Sequence, residues 1–169
     1  MGYETQFKGK FKLDRPLTEE HKEFLNRFCY TRRMGRDVAK LNEVGTHSKV
    51  GLDLGENGAY FVDGAGHHGQ DHDDSIIDFN KPPKELACGP SQPGLWCYWK
   101  PNEDGTALVW AGMEKFYNYK EWLQYIVRNF LTEWMYVLNG EVKWTGEDQG
   151  DVGTLGVRDN YVYTKLPTY

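Results

Sequence analysis

Near its start the chain reads Thr5-Gln6-Phe7-Lys8-Gly9-Lys10-Phe11-Lys12-Leu13. The odd-numbered positions of this stretch are mainly apolar, whereas the even-numbered positions are one glutamine and three lysines. Because successive side chains of a β-strand point to opposite faces, this alternation predicts a strand with one side on the core and the other in solvent. Strands of that kind are typical of antiparallel sheets, whose second face can meet water.

Two amphipathic helices are predicted, one in each half of the chain. The first covers residues 18–30, with Thr18 as its N-cap and two glutamates in its first turn, where carboxylates suit the helix dipole. The second covers residues 118–131, whose apolar residues follow a 3.6-residue period. Asn118 and Glu121 are spaced as in a capping box at its start.

Turn residues between apolar runs predict three hairpins. Asn57-Gly58 marks the first, and Asp104-Gly105 joins a strand at 95–99 to its partner at 107–110. Asn139-Gly140 marks the third, between 135–138 and 141–144. A last strand is predicted at 153–158, with an extension through 161–163.

This order of elements predicts an α+β fold in one domain over residues 1–169. We expect a mainly antiparallel sheet with two helices on one face, built around a ferredoxin-like βαββαβ core. The segment at about 40–92 is predicted to be an inserted hairpin and long ordered loop, because it has too few apolar residues for a core of its own.

Composition excludes several classes of protein. Aromatic residues make up 15% of the chain, too many for an intrinsically disordered protein, and no apolar run is long enough to span a membrane. The three cysteines, Cys29, Cys88 and Cys97, lack a disulfide framework and predict free thiols in a reducing, cytoplasmic setting. The net charge of −5 argues against non-specific coating of nucleic acid, although residues 1–50 carry a net positive charge.

A run rich in histidine and aspartate at residues 66–74 is the one candidate metal site. His68, Asp71 and His72 have side chains suited to zinc or manganese and would support a metal-dependent hydrolase. Gly66 and Gly69 argue against the helix that would place both imidazoles on one face. A solvated acidic loop explains the run better, so no cofactor and no metal are expected.

Arginines at 32, 33 and 36 form the densest basic cluster in the chain. Arg32, Arg33 and Arg36 suit the phosphates of a nucleotide or of RNA. The alternative is that they end the first helix and pair with the acidic loop, which contains Asp71, Asp73 and Asp74.

Tryptophans at 96 and 99 are candidate contacts on an open sheet face. Within a strand at 95–99, Trp96 and Trp99 would point to opposite sides, so at least one of them would leave the core. An exposed aromatic sheet face is typical of a binding surface or a protein interface. The alternative is that the insertion folds back over that face.

The segments Gln92–Cys97 and Leu138–Asp148, together with Asp159-Asn160, resemble a pattern found in small uncharacterised proteins of bacteria and their phages. The resemblance covers the C-terminal half. It implies a cytoplasmic setting and a phage or prophage origin, and it assigns no activity to any residue.

The sequence therefore favours a non-catalytic binding protein over an enzyme, because it has neither a nucleophile elbow nor a convincing phosphate loop. The predicted partner is a bacterial host protein that this acidic chain binds or inhibits in a phage-type accessory or anti-defence role, with Asp71, Asp73, Asp74, Trp96 and Trp99 as contacts. The alternatives are a nucleotide- or RNA-binding module that uses the three arginines, and the metal-dependent hydrolase. No membrane partner is expected.

Overall fold

A computed structural model describes residues 2–36, 76–82 and 92–167. The chain divides into two compact units, one formed by Met1–Thr18 and Tyr98–Tyr169 and the other by Glu19–Cys97. The predicted hairpin at Asn57-Gly58 and most of the predicted insertion lie outside the described residues.

The first unit contains a six-stranded sheet in which all neighbours are antiparallel. Its strands are β1 (Thr5–Leu13), β4 (Trp99–Pro101), β5 (Ala107–Trp110), β6 (Leu138–Gly146), β7 (Val152–Arg158) and β8 (Tyr161–Lys165). They lie in the order β4-β5-β1-β6-β7-β8. The α+β class and the mainly antiparallel sheet are therefore confirmed. The ferredoxin-like arrangement is not confirmed, because β7 and β8 extend the sheet beyond the four strands that this arrangement has.

Strand β1 has the predicted bounds and lies inside the sheet, between β5 and β6. Thr5, Phe7, Phe11 and Leu13 are buried on one side, as the alternation requires. Their side of the sheet is called the apolar face below. The lysines of β1 lie on the opposite side and are exposed.

Two glycines allow the paired strands β1 and β6 to approach each other closely. Gly9 has φ +117° and Gly140 has φ +142°, a region of backbone conformation that favours glycine. A Cβ at Gly9 would lie 2.7 Å from the carbonyl oxygen of Glu141, and one at Gly140 would lie 2.8 Å from that of Lys10. Any side chain at either position would therefore push the two strands apart.

Asn139-Gly140 does not form a hairpin turn, and that prediction is wrong. Strand β6 runs straight through the pair, because Gly140 adopts an extended backbone with positive φ and pairs with Phe11 and Val157. The hairpin turn lies instead at Asp159-Asn160, with φ +46° and +68°, and it separates β7 from β8. Two consecutive residues with positive φ are typical of a type I′ turn, whose twist matches that of paired strands.

The hairpin of β4 and β5 is confirmed, but its first strand is shorter than expected. Pairing begins at Trp99, opposite Trp110, and residues 95–98 are not part of a strand. Gly105, with φ +73°, closes the turn, and the Asn102 side chain accepts hydrogen bonds from the backbone N–H groups of Thr106 (2.9 Å) and Ala107 (3.1 Å).

The second helix, α2, covers Tyr119–Ile126 and continues as a π-helical segment over Val127–Leu131. The predicted extent is confirmed, and the apolar stripe is buried from Trp122 to Leu131. The capping box is wrong, because Asn118 has φ +58° and makes no side-chain cap hydrogen bond.

The core of the first unit is a cluster of aromatic rings between α2 and the apolar face. Phe7 lies at its centre, with its ring centroid 5.1–5.8 Å from those of four other aromatic side chains, namely Trp99, Trp110, Phe116 and Tyr119. Such contacts add about 0.5–1.5 kcal/mol per pair beyond the area that they bury.

In the second unit, α1 covers Glu19–Cys29, as predicted, and buries Phe24, Leu25, Phe28 and Cys29. A short two-stranded sheet pairs β2 (Gly35–Arg36) with β3 (Ile76–Asp78). None of the helices in the described ranges is long and apolar enough to cross a membrane.

Candidate functional site

The arginines at 32 and 33 make contacts within the second unit. The Arg32 side chain donates from Nε to the Phe79 carbonyl oxygen (3.1 Å), and its guanidinium lies 4.1 Å above the Phe79 ring. Arg33 is 0% exposed and donates from Nε to Oε1 of Gln92 (3.1 Å). The Arg33 side chain therefore lies inside the second unit and not on its surface. Arg36 lies in β2, and its side chain is outside the described residues.

Of the two predicted aromatic contacts, Trp99 is buried and Trp96 is partly exposed. Trp99 is 1% exposed, and its Nε1 donates to the Tyr119 carbonyl oxygen at 2.9 Å. It therefore belongs to the core and not to an open face. Trp96 is partly exposed and precedes β4, so strand alternation does not set its direction.

The remaining predicted site residues, His68, Asp71, His72, Asp73 and Asp74, lie outside the described ranges. Among the residues that the structure describes, no group of three or more potential ligands is placed to hold a metal ion. Cys29 and Cys97 are buried, and Cys88 lies outside the described ranges.

A different surface emerges on the side of the sheet opposite the apolar face. We call it the basic face and define it by seven cationic residues from five strands, which are Lys8, Lys10, Lys12, Lys100, Lys143, Arg158 and Lys165. Lys100 is partly exposed and the others are exposed. Strand alternation and register place all of them on one side of one sheet.

The register aligns several of these cations in a row across four strands. Lys8 of β1 is opposite Lys143 of β6, Lys143 is opposite Thr154 of β7, and Thr154 is opposite Lys165 of β8. Neighbouring strands lie about 4.8 Å apart, so this row extends for roughly 15 Å. Along β1, the lysines follow at intervals of about 7 Å.

The next row contains the one carboxylate among the described strand residues of the basic face. Glu141 accepts hydrogen bonds from Lys165 Nζ (2.7 Å) and from the Tyr163 hydroxyl (3.1 Å). The bond from Lys165, followed by that from Tyr163, lowers the pKa of Glu141 below its ordinary value. Glu141 therefore stays ionised and offsets one cation, which leaves the face strongly positive.

Tyr163 provides a flat ring in the same row. It is opposite Gly156, and its ring lies where a side chain at Gly156 would be. The ring is tethered at its hydroxyl by Glu141 and has Lys165 Nζ 5.6 Å from its centroid. Tyr161, two residues earlier and on the same side, is 72% exposed.

The end of the sheet near Gly146 has the opposite charge. The Asp151 carboxylate accepts hydrogen bonds from the Tyr3 hydroxyl (2.6 Å) and Trp144 Nε1 (3.1 Å), and its bond raises the pKa of Tyr3. The neighbouring Glu114 raises the pKa of Glu4 above its ordinary value. An anion on the basic face would therefore be repelled from this end and held toward the middle of the sheet.

The basic face was not predicted as a site. The alternating lysines of β1 indicated only a solvated side, and the cations of β6, β7 and β8 join them only through the register. Comparison with protein-family models, with curated proteins and with solved structures returns no match for this chain.

Proposed function

We propose that the chain is a non-catalytic binding protein that holds a single-stranded nucleic acid along the basic face. The observation that carries this proposal is the row formed by Lys8, Lys143 and Lys165 across β1, β6 and β8. Such a row matches a ligand with closely repeated negative charges, which is the defining feature of a nucleic-acid backbone.

The direct pairing of Lys8 with Lys143 supports a polyanionic ligand. Like charges directly opposite each other on neighbouring strands destabilise a sheet, whereas opposite charges stabilise it. Two lysines at this position therefore reduce the stability of the free protein, and an anion lying between them removes that penalty. The chain as a whole has a net charge of −5, so the excess of positive charge on the basic face is opposite in sign to the charge of the whole chain.

The tyrosines favour a single-stranded nucleic acid over an acidic peptide. Bases of a single strand stack on aromatic rings, while the backbone follows a positively charged surface. Tyr163 lies flat within the basic face, and Tyr161 stands exposed at the edge of the sheet. An acidic peptide would match the lysines but would have no comparable partner for the two rings.

This proposal retains the predicted RNA- or nucleotide-binding class and moves its surface from Arg32, Arg33 and Arg36 to the basic face. The predicted host-protein partner and the cytoplasmic setting stay predictions, since their acidic contact residues lie outside the described ranges. We further propose that β4-β5-β1-β6 form the sheet of the ferredoxin-like core, with β7 and β8 added at the β6 edge. The antiparallel pairing of those four strands supports this assignment.

The test is the salt dependence of binding to a labelled oligouridine and a labelled oligothymidine, measured by fluorescence anisotropy with the full chain. The double variant Lys8→Gln, Lys143→Gln should bind more weakly and lower the slope of log affinity against log salt by about 1.4, since each phosphate contact to a single strand contributes about 0.7. The matched control Lys115→Gln, Lys120→Gln removes two lysines outside the basic face and should keep the wild-type slope. Equal losses in the two double variants, or no binding by the wild type at low salt, would overturn the proposal.

A further inference from the structure

A groove lies between the second helix and the edge of the sheet at β8. It encloses about 380 Å³ and is lined by Gln124, Val127, Arg128, Thr132, Asn160, Tyr161 and Val162. This volume falls in the range of about 300–1,000 Å³ that is typical of small-molecule sites. The groove is therefore large enough for one small ligand or for one unit of a polymer.

The helical wall of the groove is irregular. At Val127 the hydrogen bonding changes to the π pattern, so that the Thr132 N–H reaches back to the Val127 carbonyl oxygen at 2.9 Å. Short π-helical segments inside α-helices occur frequently at functional sites. Here Val127 and Arg128, the first two residues of the π-helical segment, line the groove.

The opposite wall is held rigidly by Asn160. Its side-chain oxygen accepts from the Leu138 N–H at 2.6 Å, and its Nδ2 donates to the Tyr136 carbonyl oxygen at 2.9 Å. The β7–β8 turn is thereby fixed to the start of β6. A wall that is already ordered loses little conformational freedom when a ligand binds.

Two side chains of the groove wall, Gln124 and Arg128, and the Tyr161 side chain at its rim are available to a ligand. Within the described part of the chain, the side chains of Gln124, Arg128 and Tyr161 make no hydrogen bond or ion pair. Arg128 and Tyr161 are also exposed. A guanidinium suits a phosphate, an aromatic ring stacks on a base, and a carboxamide offers both a donor and an acceptor to a base edge.

The groove is continuous with the basic face through Tyr161. Tyr161 lines the groove and is opposite Arg158, a member of the basic face. We infer that the groove holds one nucleotide of the bound strand, with its base edge at Gln124 and its phosphate at Arg128, while the neighbouring base of the strand stacks on Tyr161 at the basic-face rim of the groove. This inference rests on the proposed nucleic-acid function and adds to it a subsite where the base can be read.

The test compares two variants of the groove with matched controls, using the same labelled oligonucleotides. Tyr161→Ala should lower the affinity about five- to 150-fold, as expected for the loss of one base stack, whereas Tyr161→Phe should keep it. Arg128→Gln should lower the slope of log affinity against log salt by about 0.7, whereas Arg27→Gln, on α1, should leave it unchanged. Uridine and adenosine 5′-monophosphates should shift the amide resonances of Gln124, Thr132 and Val162.

The outcomes separate this inference from the proposal on which it rests. If the wild type binds and Lys8→Gln, Lys143→Gln weakens binding, but Tyr161→Ala and Arg128→Gln behave as wild type, the subsite is overturned and the basic face stands. If neither oligonucleotide binds the wild type, both proposals are overturned. Mononucleotides that leave the amide resonances of Gln124, Thr132 and Val162 unshifted would also contradict the subsite.

Discussion

Lys8 of β1 lies directly opposite Lys143 of β6, and both side chains are exposed on the basic face. The pair brings two positive charges together where an opposite charge would stabilise the sheet. Its effects on stability and on binding can therefore be separated by a single substitution.

Lys143→Glu should stabilise the folded protein and weaken its binding to oligonucleotides. The new carboxylate would face Lys8 across the strands, and opposite-charge pairs of this kind contribute about 0.2–1 kcal/mol. Urea unfolding should show a higher midpoint while anisotropy shows weaker binding. A lower midpoint together with unchanged binding would mean that the lysine pair has no part in the ligand site.

Gly153→Ala should destabilise the protein more than Gly156→Ala. Both glycines of β7 are covered by the ring of the opposite residue, which is Trp144 for Gly153 and Tyr163 for Gly156. Trp144 is 7% exposed and donates a hydrogen bond to Asp151, so its ring cannot move aside for a new methyl group. Overpacking of this kind costs about 1–3 kcal/mol of stability. Tyr163 is partly exposed and can swing outward. Urea unfolding of the two variants side by side checks the order, and equal losses would contradict it.

Phe7→Ala should destabilise the protein by about 3–5 kcal/mol, the usual range for removing a buried aromatic side chain. Its ring contacts four other aromatic rings at the centre of the core. Truncation to alanine would leave a cavity between these rings, and they cannot all shift to fill it. Phe7→Leu should cost less, because it keeps most of the apolar volume. Chemical denaturation measures both variants, and a loss below about 1 kcal/mol for Phe7→Ala would place the centre of the core elsewhere.

Stability should fall at alkaline pH in a way that depends on Tyr119. Burial raises the pKa of Tyr119 from its ordinary value of 10.0 to about 12. The folded state then retains the phenol proton to higher pH than the unfolded chain does, so this contribution is complete below pH 10 and is lost as the pH rises through about 12. Tyr119→Phe should show a smaller loss of stability between about pH 10 and about pH 12, measured by urea unfolding. An identical pH profile for the variant and the wild type would show that Tyr119 has an ordinary pKa.

The sequence was most informative where the signal is local. The alternation in residues 5–13 predicted β1 with its observed bounds. The 3.6-residue period predicted a helix over residues 118–131, and α2 with its π-helical extension covers residues 119–131. The turn chemistry was ambiguous, since Asn139-Gly140 and Asp159-Asn160 are both typical turn pairs. Which of the two pairs forms the turn depends on contacts between segments that are distant in the chain. A Cβ at Gly140 would lie 2.8 Å from the Lys10 carbonyl oxygen of β1, so a glycine is needed there within the strand.

The candidate site could not be predicted because it is a property of the register. Lys8, Thr154 and Lys165 are far apart in the chain and meet only through the pairing of β1, β6, β7 and β8. Two of the residues that stood out in the sequence are buried instead: Arg33 donates a hydrogen bond to Gln92, and Trp99 donates one to the Tyr119 carbonyl oxygen. Alternating lysines on a strand that lies inside the sheet were the one available signal.

Amide chemical-shift mapping of the labelled protein with oligouridine decides whether the basic face holds the strand. We expect the largest shifts on β1, β6, β7 and β8, at and around Lys8, Lys10, Lys143 and Thr154, and we expect them to fade as salt is added. Shifts confined to residues 30–36 and 76–82, around Arg32 and Arg36, would contradict it and return the ligand to the arginine cluster.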